Sequence, residues 1–70
     1  QRDINLTFIS SKGFDVFTVD GLNKALHWLQ TADADNLMYG EPSGDEFDIM
    51  VGEMRRPMLI ASVEQAIAQL

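Results

Sequence analysis

Leu22, Ala25, Leu26 and Leu29 stand at i, i+3, i+4 and i+7, which is one face of a helix of period 3.6. An apolar helix face must be buried against another element, so the rest of the chain has to supply a cover for this stripe. Asp20 precedes the first apolar position. Its carboxylate can accept a hydrogen bond from a free N–H of the first turn, and its charge suits the positive end of the helix dipole. Asn23, Lys24 and His27 fall on the opposite side, and Gly21 sits only in the first turn. The spacing predicts a helix over Asp20–Ala32.

What can cover that face is limited by size. A chain of 70 residues makes one domain, buries roughly 60% of its unfolded surface, and draws only about 3–5 kcal/mol of net stability from its core. Small domains often add a disulfide, a metal or a second subunit. The chain has no cysteine and one histidine, His27, so disulfides, thiolate zinc sites and histidine-rich metal sites are excluded. A homodimer is therefore the expectation. A chain beginning at Gln1 is expected to have lost residues ahead of it.

The segments before and after the helix alternate. Ile4, Leu6 and Phe8 point one way from Asn5 and Thr7, the period-2 signature of a half-buried strand over Ile4–Ser10. Ser11-Lys12-Gly13 reads as a turn, and Phe14–Val19 alternates again, which predicts a hairpin. Phe47, Ile49 and Val51 alternate against Asp48 and Met50 as a third strand. Gly52–Arg56 turns the chain, Pro57 suits the first residue of a strand, and Met58–Ile60 is a fourth. Ser62 and Gln65 form a capping-box pattern ahead of a second stripe at Val63, Ala66, Ile67 and Leu70.

Aligning Ala25 with Ala66 brings Leu22 onto Val63, Leu26 onto Ile67 and Leu29 onto Leu70. Phe17 and Val19 then meet Met58 and Ile60, and Leu6 and Phe8 meet Phe47 and Ile49. The expected architecture is α+β: two ββα units, a four-stranded antiparallel sheet, and two helices packed on one face. It is a single domain over 1–70, with units 3–32 and 45–70 joined by an acidic loop, 33–44. Within that loop Leu37-Met38-Tyr39 could add a short strand. The eight residues from Leu6 to Ile60 paired above would line the inner sheet face, each burial contributing about 1.5–3 kcal/mol before entropy. Ile9, Val16, Met50 and Leu59 are left on the outer face, either as a contact surface for a second copy or partner, or through a register shift or bulge.

The charge is as one-sided as the pattern is regular. The formal net charge is −6, which repels phosphate backbones and anionic membranes and attracts basic partners. No apolar run is long enough to span a membrane, no signal-peptide pattern is present, and the lack of cysteine fits the cytoplasm. Asp33, Asp35, Glu41, Asp45, Glu46 and Asp48 cluster with no basic residue among them. Read as a calcium loop from Asp33, the series puts Met38 at the required glycine and Gly44 at the required glutamate, so it fails. A glycosidase pair needs a cleft with carboxylates about 5–10 Å apart, which acids on one loop do not supply. What remains is a solvated loop or an electrostatic docking surface.

Ser10-Ser11-Lys12-Gly13 lacks the glycine spacing of a phosphate loop. Arg55-Arg56, the only basic pair, is expected to balance nearby acids such as Glu53. His27 belongs to solvent. Trp28 lies at the margin of its helix stripe, as a core cover or a partner anchor, and Tyr39 carries the same two roles. No catalytic, cofactor or metal residue is identified. The expected function is a non-enzymatic acidic protein-interaction module whose contact set is Trp28, Asp33, Asp35, Tyr39, Glu41, Asp45, Glu46 and Asp48. Its sharper form is a small inhibitor that docks on a basic, nucleic-acid-binding protein surface, as phage counter-defence proteins do. The alternative is a small-ligand sensing or regulatory domain.

Overall fold

The computed structural model describes residues 4–38 and 45–70. Its elements are helices α1 (Ile4–Ser11), α2 (Val19–Thr31) and α3 (Glu46–Ala68), with a 3₁₀ turn at Ala34–Leu37 between α2 and α3. No strand occurs among the described residues. The four-stranded sheet is therefore overturned, and with it the α+β class and the pair of ββα units: the fold is all-helical. Tyr39 and Glu41 lie outside the described residues.

Helix α2 forms where the stripe places it, with its cap moved by two residues. Thr18, not Asp20, is the N-cap; its Oγ1 accepts from the Gly21 N–H at 3.1 Å. Asp20 sits in the first turn and pairs with exposed Lys24 at 3.2 Å. Leu22, Ala25 and Leu29 are fully buried, and Leu26 is packed against them. The preceding turn folds back on the helix, and Asp15 Oδ1 accepts from the Phe17 N–H at 2.9 Å. A Cβ on Gly21 would lie 2.0 Å from the Asp15 carbonyl oxygen, so only glycine lets the turn close there.

The largest correction concerns α3. The residues read as two strands, a turn and a capped helix are one helix of 23 residues. At about 1.5 Å per residue it is roughly 35 Å long, close to the 37 Å long axis of the molecule. Asp45 caps it: Oδ1 accepts from the Phe47 N–H at 3.0 Å and the Asp48 N–H at 3.2 Å. Ser62 is mid-helix instead of a cap, and its Oγ accepts from Asn5 Nδ2 at 2.9 Å, tying α1 to α3. Pro57 lies inside the helix and gives no N–H to the Glu53 carbonyl, a defect that costs about 3 kcal/mol in a helix interior. The helix continues because long-range contacts hold both of its halves.

Each of the other elements packs chiefly against α3. The core joins Phe8 and Ile9 of α1, Leu22, Ala25 and Leu29 of α2, Leu37 of the 3₁₀ turn, and Leu59 and Val63 of α3. Ile9 and Leu59, expected on an outer sheet face, are both at 0% exposure, whereas Met50 is solvent-facing and Val16 half-buried. The expected inner face fares no better: Phe17, Val19, Phe47, Ile49 and Met58 are exposed. Of the expected turn Ser11–Gly13, Ser11 ends α1 while Lys12 and Gly13 turn the chain after it, and Gly13 has a positive φ of 98°.

Candidate functional site

The residues expected to form a contact set divide when placed on this fold. Asp45 is committed to the α3 N-cap, and Asp48 in the same turn is 2% exposed. A carboxylate in that turn is favoured by the helix dipole, and it acts from within the fold. Glu46 and Asp33 are exposed and Asp35 is half-buried within the 3₁₀ turn. Trp28 is half-buried against the core with its ring 5.5 Å from that of Phe14, so it closes the core margin. His27 is exposed, as expected. Among the described residues the acids of this set that remain on the surface are spread around the N-terminal end of α3 and beside it.

The two arginines expected to sit in a turn are in the middle of α3 and face inward. Arg56 donates from Nη2 to the Ala32 carbonyl at 2.7 Å and from Nη1 to the Leu29 carbonyl at 2.5 Å. Its Nε reaches Glu53 Oε1 at 2.9 Å, which is the acid the sequence suggested. Helix α2 has no basic residue in its last turn, and its terminal carbonyls lack intrahelical partners. Arg56 supplies both the donors and the positive charge from another helix. Arg55 does the same for the 3₁₀ turn, with Nη1 donating to the Leu37 carbonyl, and its guanidinium lies 4.5 Å from the centre of the Phe8 ring, a cation–π distance. These two side chains pin α1, α2 and the 3₁₀ turn to the segment of α3 that Pro57 weakens.

The seam with the 3₁₀ turn is closer than side chains allow. Gly52 is buried, and a Cβ there would stand 1.7 Å from the Ala34 carbonyl oxygen. Backbone therefore packs directly on backbone.

On the other side of α3 the pattern is unexpected. Phe47, Met50, Met54 and Met58 are 61%, 53%, 66% and 59% exposed. With Ala61, also exposed, they fall within a sector of about 80° at 100° per residue, roughly opposite Gly52, Leu59 and Val63. A helix that is apolar on both faces is ordinarily covered on both, and a contiguous exposed apolar stripe marks a contact surface where scattered residues would not. Three of the four residues are methionines, whose unbranched side chains adapt to varied partners. The sequence signal for this stripe is the spacing i, i+3, i+7, i+11 from Phe47, visible only once 46–68 is read as a single helix.

A second feature lies towards the other end of α3. There α1, the following turn and the C-terminal half of α3 enclose an open groove of about 810 Å³, lined by Leu6, Val16, Phe17, Ala66 and Leu70 with hydroxyl and amide side chains between them. That volume is within the range of small-molecule sites, about 300–1,000 Å³. Among the described residues no three His, Cys, Asp or Glu side chains come together as metal ligands. No helix among them is long and apolar enough to cross a membrane. No protein-family model, curated protein or solved structure matches the chain.

Proposed function

We propose that this protein is a non-enzymatic, acidic interaction module of the cytoplasm that binds another protein through the outer face of α3. The observation that carries the reading is the exposed stripe Phe47, Met50, Met54 and Met58. The net charge of −6 gives the partner its character: association is steered toward a basic surface. An inhibitor of a nucleic-acid-binding protein is one form this takes, with the acidic surface presented where a phosphate backbone would lie.

The test is affinity capture from the native lysate with the folded protein, alongside Met54→Asp and a Glu46→Gln/Glu53→Gln/Glu64→Gln variant. The expected result is a partner retained by the wild type, lost with Met54→Asp, and released from the wild type at lower salt than an uncharged contact would need. A partner held unchanged by both variants refutes the reading.

The groove between α1 and α3 favours the alternative, a sensing domain that holds a small, uncharged, largely apolar ligand. Its lining fits such a ligand, since it offers hydroxyls and amides but no charged group. Exposed Phe17 at its mouth is the residue to change. Saturable binding of an environment-sensitive apolar dye, abolished by Phe17→Asp and untouched by Met54→Asp, would support this role.

A further inference from the structure

Resting on the α3 reading above, we infer that the occupant of the stripe is a basic amphipathic helix lying along α3, and not a second copy of this chain. The borders of the stripe decide between the two. At 100° per residue, Glu46, Glu53 and Glu64 run along one border, and all three are exposed. Among the described residues Glu46 and Glu64 make no ion pair, while Glu53 is paired with Arg56. On the opposite border the residue that would supply positive charge is Arg55, and its guanidinium is turned inward to Leu37 and Phe8. Lys24 is engaged with Asp20 on α2. Lys12 lies over the Phe8 ring at the end of α1. The stripe is therefore apolar at its centre and acidic at its edge, with no base presented beside it among the described residues.

Two copies pairing antiparallel through this face would set acid against acid, and in either orientation two chains of net charge −6 would meet; like-charge juxtaposition is the arrangement that interfaces avoid. A helix with an apolar face flanked by Lys or Arg satisfies both parts of the pattern. Helix-in-groove recognition reads such a face through anchors at i, i+3, i+4 and i+7. From Phe47 to Met58 the stripe runs about 17 Å, enough for roughly three turns of a docked helix. Methionine side chains suit this task because they repack around different anchors.

The experiment uses three labelled 18-residue helical peptides of defined composition. One carries a leucine stripe flanked by lysine, one the same stripe flanked by glutamate, and one is a permutation of the first that has no stripe. Binding to the whole protein is read by fluorescence anisotropy at physiological salt, and the oligomeric state of the protein by sedimentation velocity. The lysine-flanked stripe is expected to bind at least tenfold more tightly than either control. Met54→Asp and Met50→Asp should each weaken it at least tenfold while the helical circular dichroism is unchanged.

Equal binding of the glutamate-flanked peptide overturns the inference, as does equal binding of the permuted peptide. A wild-type dimer that Met54→Asp converts to a monomer overturns it in favour of a second copy, and leaves the stripe as a docking face. A monomer that binds none of the peptides removes both the basic helix and the stripe.

Discussion

Gly52→Ala separates this fold from every arrangement in which Gly52 lies in a turn or on an open helix face. In an exposed helix interior the change is stabilising by about 1 kcal/mol, because alanine is the better helix former. Here the new Cβ would meet the Ala34 carbonyl oxygen at 1.7 Å and its carbon at 2.4 Å. Both are backbone atoms and cannot rotate away. To restore ordinary contact the 3₁₀ turn must retreat by about 1.5 Å. That retreat loosens Leu37, which is fully buried, and pulls its carbonyl from Arg55.

Overpacking costs about 1–3 kcal/mol. A hydrogen bond to a charged group contributes about 1.5–3 kcal/mol. Setting these against the propensity gain gives a net loss of about 1.5–5 kcal/mol. The assay is urea unfolding followed by circular dichroism and Trp28 fluorescence, with a slope of about 1 kcal/mol per M for a domain of this size. The expected result is a midpoint lowered by about 1.5 M or more. By heat the midpoint should fall at least about 6 °C. A midpoint that is unchanged or raised would mean the 3₁₀ turn does not rest on α3 at Gly52, and the seam described above would have to be abandoned.

Arg56→Met keeps the aliphatic stem and removes the donors to Leu29, Ala32 and Glu53; a loss of about 2–4 kcal/mol is expected from the charge-assisted bonds, and Arg56→Lys should recover only part of it because an ammonium lacks the planar fork. The same urea transition measures both, and full stability in Arg56→Met would show that α2 is capped without α3. Pro57→Ala should act in the opposite direction: Pro57 is exposed within α3, so restoring its N–H should stabilise by about 1–3 kcal/mol. A destabilised Pro57→Ala would mean that the backbone geometry proline imposes here is what aligns Arg55 and Arg56 with their carbonyls.

Helix α2 was legible because its stripe runs for two full turns with polar residues opposite, a pattern no strand can share. The segment Ile4–Ser10 was not, because period 2 and period 3.6 agree over so short a window. Ile9 was the residue out of step: adjacent apolar residues Phe8 and Ile9 both enter the core, which a helix permits and a half-buried strand does not. Leu59 beside Ile60 carried the same signal in the second half.

Across 46–68 two residues hid the helix. Gly52 and Pro57 are ordinarily breakers, and local propensity gives way when tertiary contacts are strong enough. Gly52 is required by a backbone approach from a distant segment, and Pro57 is tolerated beside arginines whose partners lie more than fifteen residues away in sequence. Neither fact is visible in the residues around them. The docking stripe was lost with the helix. Divided into strands, 46–68 turns Phe47 and Met58 inward and Met50 outward, and their common face disappears.

The central place of α3 also sets the order in which the molecule can come apart. Amide hydrogens exchange with solvent only when their hydrogen bonds open, and opening occurs in cooperative units of graded cost. Because α1, α2 and the 3₁₀ turn each pack chiefly on α3, no opening of the buried face of α3 can leave the remainder folded. The amides around Leu59 and Val63 should therefore exchange only through complete unfolding, at the free energy measured by denaturant. Helix α1 is one short element joined to α3 by Phe8 and Ile9 in the core, the Arg55–Phe8 contact and the Asn5–Ser62 bond. It can lift away alone, and its amides will report a smaller free energy than those of the helix it rests on.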